Sequence, residues 1–131
     1  MSLLRRTLYL QALAWAATGI ALALVPKSVL GLLDQPPIAE PSWLRMGGVE
    51  AFGLALLMVL VGHRAEELWW WSWAFVLMTA GVAGVATLNA AFGIHPDASS
   101  VPWWAMAGIS WAFTAALLVG LQRIGRIQPP E

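Results

Sequence analysis

Hydrophobic positions fall into four blocks of about 20 residues, separated by short polar or proline-bearing stretches, and that is the length a helix needs to cross a bilayer. The first block covers residues 8–25 and stops at Pro26-Lys27. The second covers 43–62 and meets the polar run His63-Arg64-Ala65-Glu66-Glu67. The third covers 68–92, and the fourth 102–121. None has the single wet face of a helix lying on a surface. The pattern predicts an all-α integral membrane protein, an antiparallel four-helix bundle forming one four-span domain over residues 1–131. The long first connection carries prolines at 26, 36, 37 and 41. Its segment Ser28 to Asp34 (SVLGLLD) predicts a short helix in the membrane interface.

Composition sharpens this picture. The chain is 60% hydrophobic and 11% charged, with a mean hydropathy of +0.72. A soluble domain of average composition is about 25% charged, so these charges cannot wet a globular surface, and lipid is the expected partner. Seven acidic and seven basic residues balance, which leaves no basic footprint for nucleic acid. With no cysteine there is no disulfide, thiolate or iron–sulfur chemistry. Six arginines against one lysine, with abundant alanine, suggest a GC-rich bacterial source.

Basic residues set an orientation. Arg5, Arg6, Arg64, Arg123 and Arg126 flank one side of the four spans, against Lys27 and Arg45 on the other. Both termini are therefore expected in the cytoplasm of a bacterial inner membrane. Arg5-Arg6 and the apolar run behind them imitate a signal peptide, but the run is long for one, and an uncleaved first helix is expected. Trp69, Trp70, Trp71 and Trp73 would line the cytoplasmic interface, and Trp43, Trp103 and Trp104 the outer one. Trp15 and Trp111 fall deeper. The short second connection makes the second and third spans expected neighbours.

Helices in lipid associate through small residues. Candidate packing positions are Gly48 and Gly53 on the second span, Gly84 on the third, and Gly108, Ala112, Ala116 and Gly120 on the fourth. The fourth-span stripe is also the candidate for contact with a second subunit.

Polar residues at depth are the candidate chemistry, because insertion of a charged side chain costs a few kcal/mol, on the order of 3 at the helix centre. Arg45 and Glu50 lie about 140° apart round a helix, so they do not share a face. Arg45 is expected to snorkel outward, about 7 Å from Glu50 along the axis. Glu50 shares its face with Met46, Gly53, Leu54 and Leu57 and must find partners on other helices. Counting rise from His95 puts Asn89 about two turns below the outer surface, level with Glu50, with Thr18 somewhat deeper. This predicts an outer-half polar cluster of Glu50, Asn89, Arg45, His95 and Thr18. It reads either as a ligand site or as a Glu50–Asn89 clip between two helices. His63 and His95 lack metal-ligand spacing, so no metal is expected, and no catalytic constellation stands out.

Gly48-Val-Glu50-Ala-Phe-Gly53, following an arginine at the start of the second of four short-looped helices, resembles the Gly-x-Glu-x-x-Gly pattern of the DoxX-like family of small bacterial membrane proteins. The resemblance covers residues 43–92 and the four-helix plan, and by position it matches Gly48, Glu50 and Gly53. It implies an accessory membrane component, of a kind attached in some members to quinone-linked oxidation of sulfur compounds or to oxidative-stress assemblies. This chain lacks the cysteine pair that a thiol-relay version would need. The expected function is thus a non-catalytic accessory subunit or adaptor of a larger membrane complex, with other membrane subunits or further copies of itself as partners. The alternative is a binding protein or small enzyme for a lipophilic ligand, a quinone or lipid, held at Glu50. A small oligomeric transporter or channel ranks third. No covalently bound cofactor is expected.

Overall fold

The computed structural model describes residues 2–93 and 95–127. These form helices α1 (Leu3–Leu24), α2 (Pro26–Leu32), α3 (Ser42–His63), α4 (Ala65–Leu68), α5 (Ser72–Phe92) and α6 (Val101–Ile127), with a 3-10 turn at Trp69–Trp71 between α4 and α5. There is no strand among the described residues. Four helical stretches, α1, α3, α6 and the run from Ala65 to Phe92, are long and apolar enough to cross a membrane. They match the four hydrophobic blocks, extended by several residues at the chain ends.

Local chemistry sets the boundaries. Ser2 caps α1, its Oγ accepting from the Arg5 N–H at 3.3 Å. Val25 precedes a proline, leaves the helical region at φ −132°, and ends α1, while Pro26 opens α2 at a position that needs no N–H. The Glu40 carboxylate accepts from the N–H and hydroxyl of Ser42 at the start of α3. Those bonds, the side-chain one foremost, hold its pKa below the ordinary carboxylate value. Gly93 stops α5 at φ 57°, with its N–H on the Asn89 carbonyl.

Small residues decide which helices meet. A Cβ on Gly19 would stand 2.6 Å from the Gly48 carbonyl oxygen, and one on Gly48 would stand 2.6 Å from both the Gly19 oxygen and the Ala23 nitrogen. No real Cβ tolerates such contacts with backbone, so α1 and α3 cross where only glycine fits. Nearer the termini, Gly62 lies against Leu8 and Tyr9, and the Arg5 Nε donates to the Gly62 carbonyl at 2.9 Å. The two helices therefore run in opposite directions. A second close pair is α5 with α6, where Ala83, Ala86 and Ala90 are buried, as are Ala107, Ser110 and Thr114. Trp111 Nε1 donates across this pair to Thr87 Oγ1 at 3.1 Å. The pairs join where α1 meets α6, with Gly120 against Leu4.

This pairing departs from chain order. The short connection makes α3 and α5 expected neighbours, yet their backbones scarcely approach, and α3 gives its glycine face to α1. The small-residue positions divide accordingly. Gly48 and Gly120 are contact glycines. Gly53, Gly84 and Gly108 are not close-contact glycines, because a Cβ on any of them meets nothing within 4 Å among the described residues. Ala112 is exposed and Ala116 half-buried. The buried stripe of α6 runs instead through Ala107, Ser110, Thr114, Leu117 and Leu121. Gly120→Ala, whose Cβ would stand 2.9 Å from the Leu4 Cα, is therefore expected to lower the melting temperature in micelles. Gly108→Ala should leave it unchanged or raise it, by up to about 1 kcal/mol from helix propensity.

The large buried side chains gather at the end holding the chain termini, hereafter the terminal end. They are Leu4 and Leu8 of α1, Met58 and Val61 of α3, Phe75 and Val76 of α5, and Leu117 and Leu121 of α6. At the opposite, distal end no such cluster forms among the described residues.

Candidate functional site

One stripe of α1 shows how the interior changes along the molecule. Leu4, Leu8, Gln11, Trp15, Thr18 and Leu22 follow the alternating three- and four-residue spacing that keeps a single face. The first three are fully buried, Trp15 and Leu22 are half-buried, and Thr18 is exposed. The inward stripe of α3 changes the same way, from buried Val61 and Met58 through half-buried Leu54 to exposed Glu50 and Gly47. On α6, buried Leu117 and Ser110 give way to exposed Met106. Within each pair the contacts stay tight to the distal end, at Gly19–Gly48 and at Ala90 and Ala107. The α1–α3 and α5–α6 pairs therefore part from each other above Gln11 and leave a wedge that opens sideways between α3 and α5 and between α1 and α6.

Gln11 forms the floor of this wedge. It is 0% exposed, and its Nε2 donates to Thr79 Oγ1 at 2.5 Å, while Thr79 Oγ1 in turn donates to the Phe75 carbonyl at 2.6 Å. Gln11 Oε1 is buried without a partner. A buried amide oxygen left unpaired is costly, so this link between the two pairs is held at an energetic penalty. Sequence reasoning passed over Gln11. The available signal was that it is the one glutamine in the first span, on the same stripe as Leu4 and Leu8.

The connecting loops form a roof. Asp34, held at φ 55°, accepts the Ser99 N–H on its carbonyl at 3.1 Å. Gln35 Nε2 donates to the Ser99 carbonyl at 3.0 Å, and its Oε1 accepts from Trp103 Nε1 at 3.2 Å. The loop after α2 is thereby stapled to the loop before α6 across the distal end.

Helix rise places the walls. Gly19 faces Gly48, Gln11 bonds Thr79, and Leu4 touches Gly120. Counting from these three registers, Thr18, Glu50, Ala86 and Met106 stand level to within about 1.5 Å, and Asn89 and Trp103 stand about one turn nearer the roof. Along the α5–α6 wall lies an open apolar groove of about 320 Å³, lined by Leu77, Met78, Gly81, Val82, Val85, Ala86, Trp103 and Met106.

Of the five residues expected to cluster, Thr18, Glu50 and Asn89 thus stand on three different helices within about one turn of a common height. Glu50 is exposed rather than directed into a closed interior, because α5 does not come close enough to cover it. No hydrogen bond joins it to Asn89, so the two do not form a clip within the chain. Arg45 is exposed beyond the glycine crossing. His95 is exposed in the α5–α6 loop, where its Nδ1 accepts from the Asp97 N–H at 3.2 Å and lies 3.8 Å from the Asp97 carboxylate. No hydrogen bond or ion pair among the described residues links any two of the five.

No family model matches the chain, and no curated protein or solved structure is significantly similar to it. The class rests on the fold: an all-helical protein with four helices able to span a membrane.

Proposed function

We propose that the protein is a four-span antiparallel bundle of the bacterial inner membrane, of the DoxX-like kind, working as a non-catalytic accessory subunit or adaptor of a larger membrane assembly. Its spans carry aromatic residues at both ends. Trp70, Trp71 and Trp73 are exposed at the terminal end, and Trp43 and Trp104 at the distal end, a distribution suited to two interfaces. Arg5, Arg64, Arg123 and Arg126 gather at the terminal end, which favours a cytoplasmic placement for both termini.

The observation that carries the reading is Glu50. It stands on an exposed face of α3 with no hydrogen-bond or ion-pair partner among the described residues, about 12 Å along the helix from Ser42. In a bilayer such a group requires a partner from outside. Extraction in mild detergent is expected to bring other chains along in fixed ratio, and Glu50→Leu to lose them without unfolding the protein. A lone monodisperse species of 14.1 kDa from the wild type would count against this reading.

The second reading takes the outside partner to be a lipophilic molecule, a quinone or a lipid. The wedge favours it, with polar walls at Thr18, Glu50 and Asn89 beside an apolar groove.

A further inference from the structure

We infer that the wedge is a laterally entered site for an amphiphile whose head donates hydrogen bonds, a hydroxyl or an amine on an apolar chain. The inference deepens the second reading above and rests on it. Three features define the shape. The buried Gln11–Thr79 link closes the wedge below, and the Asp34/Gln35 staple to Ser99 and Trp103 closes it above. The remaining openings are the lateral gaps between α3 and α5 and between α1 and α6, which in a membrane face acyl chains rather than water. A solute entering there must already be dissolved in lipid.

The polar groups define the head. A carboxyl at Glu50, an amide at Asn89 and a hydroxyl at Thr18 all offer acceptor oxygens, the last two can donate as well, and none makes a side-chain hydrogen bond among the described residues. The nearest cations of the chain, Arg45 and Lys27, lie toward the distal end and are exposed there. With the Glu50 carboxyl present and no cation beside it, the wedge disfavours an anionic head and favours one that donates, since a donor can bond all three oxygens. The groove beside them, about 320 Å³ and lined by Val82, Ala86, Trp103 and Met106, suits the apolar portion and lies at the low end of small-molecule sites. A second copy of this chain is a poor occupant, because its spans bring no basic side chain to the depth of Glu50.

The test uses the full chain in lipid nanodiscs with a nitroxide-labelled long-chain alcohol and its amine, methyl ether and carboxylic acid counterparts. Binding is read as the motionally restricted fraction by electron paramagnetic resonance. The alcohol and the amine are expected to be immobilised, and the ether and the acid to remain free. Preference for the amine identifies ion pairing with Glu50, and preference for the alcohol a neutral hydrogen bond. Glu50→Leu and Asn89→Leu should each weaken binding about tenfold, the scale of one hydrogen bond to a charged or amide group. Met106→Trp, which fills the groove without touching the acceptors, should weaken it as well, so the result does not hang on one variant. Val49→Ala, on the far side of α3, should change nothing. Equal immobilisation of the ether or the acid overturns the donor assignment while leaving the ligand reading in place. Immobilisation of none of the four overturns both.

Discussion

Replacing Gly48 with alanine is expected to destabilise the protein by about 1–3 kcal/mol, the cost of overpacking a close contact. The new methyl would meet the Gly19 oxygen and the Ala23 nitrogen at 2.6 Å, and both are backbone atoms that no side-chain rotation can move. The helices must separate, and every contact along the α1–α3 crossing loosens with them. Thermal or steric-trap unfolding in micelles measures the effect. Gly53→Ala, one and a half turns further along the same helix in open space, is the matched control and should be silent or slightly stabilising. Gly19→Ala should resemble Gly48→Ala. The double substitution should cost less than the two added together, because a pair already pushed apart accommodates the second methyl more easily. An unaltered Gly48→Ala protein would mean that α1 and α3 do not cross at these glycines.

The second large effect concerns the Gln11–Thr79 link. Thr79→Val removes the acceptor of Gln11 Nε2 and leaves a fully buried amide with neither of its polar atoms paired, at a cost of about 1–3 kcal/mol. Gln11→Leu behaves differently. It deletes an oxygen that was already unpartnered, and Thr79 keeps its own bond to the Phe75 carbonyl. That variant should be close to neutral or more stable than the wild type. Combining Gln11→Leu with Thr79→Val should then restore most of what Thr79→Val alone loses. A double mutant no better than Thr79→Val would show that the threonine matters through packing rather than as an acceptor.

The helices were legible in the sequence because their signals are long and local: four apolar blocks, a proline at residue 26 and a glycine at residue 93. The pairing was not. Loop length points α3 toward α5, whereas the choice is made by Gly19 and Gly48, two residues far apart in the chain whose spacing carries no sign of each other. Small-residue spacing was equally ambiguous. Gly108 and Gly120 belong to one four-residue stripe, yet only Gly120 meets a neighbour, since α1 reaches α6 near the terminal end and diverges beyond it. At the candidate site, counting rise along single helices put Glu50 and Asn89 level, whereas the Gly19–Gly48 and Gln11–Thr79 registers set Asn89 about one turn nearer the roof. Their separation could not be read that way, because it depends on how far α3 and α5 lean apart. Gln11 was overlooked for the complementary reason: a lone amide in an apolar run looks minor until its partner on another helix is known.

The division into α1–α3 and α5–α6 also bears on how such a chain is made and how it could change. Each half holds its tightest contacts within itself, and the two are wired in series through a short junction near Arg64 and the Trp69–Trp71 turn. A chain severed at that junction would yield two fragments, each a complete helical hairpin, left to associate through the Leu4–Gly120 contact and the Gln11 bond. Modules joined so sparingly can be exchanged or duplicated with little disturbance to the packing inside either one.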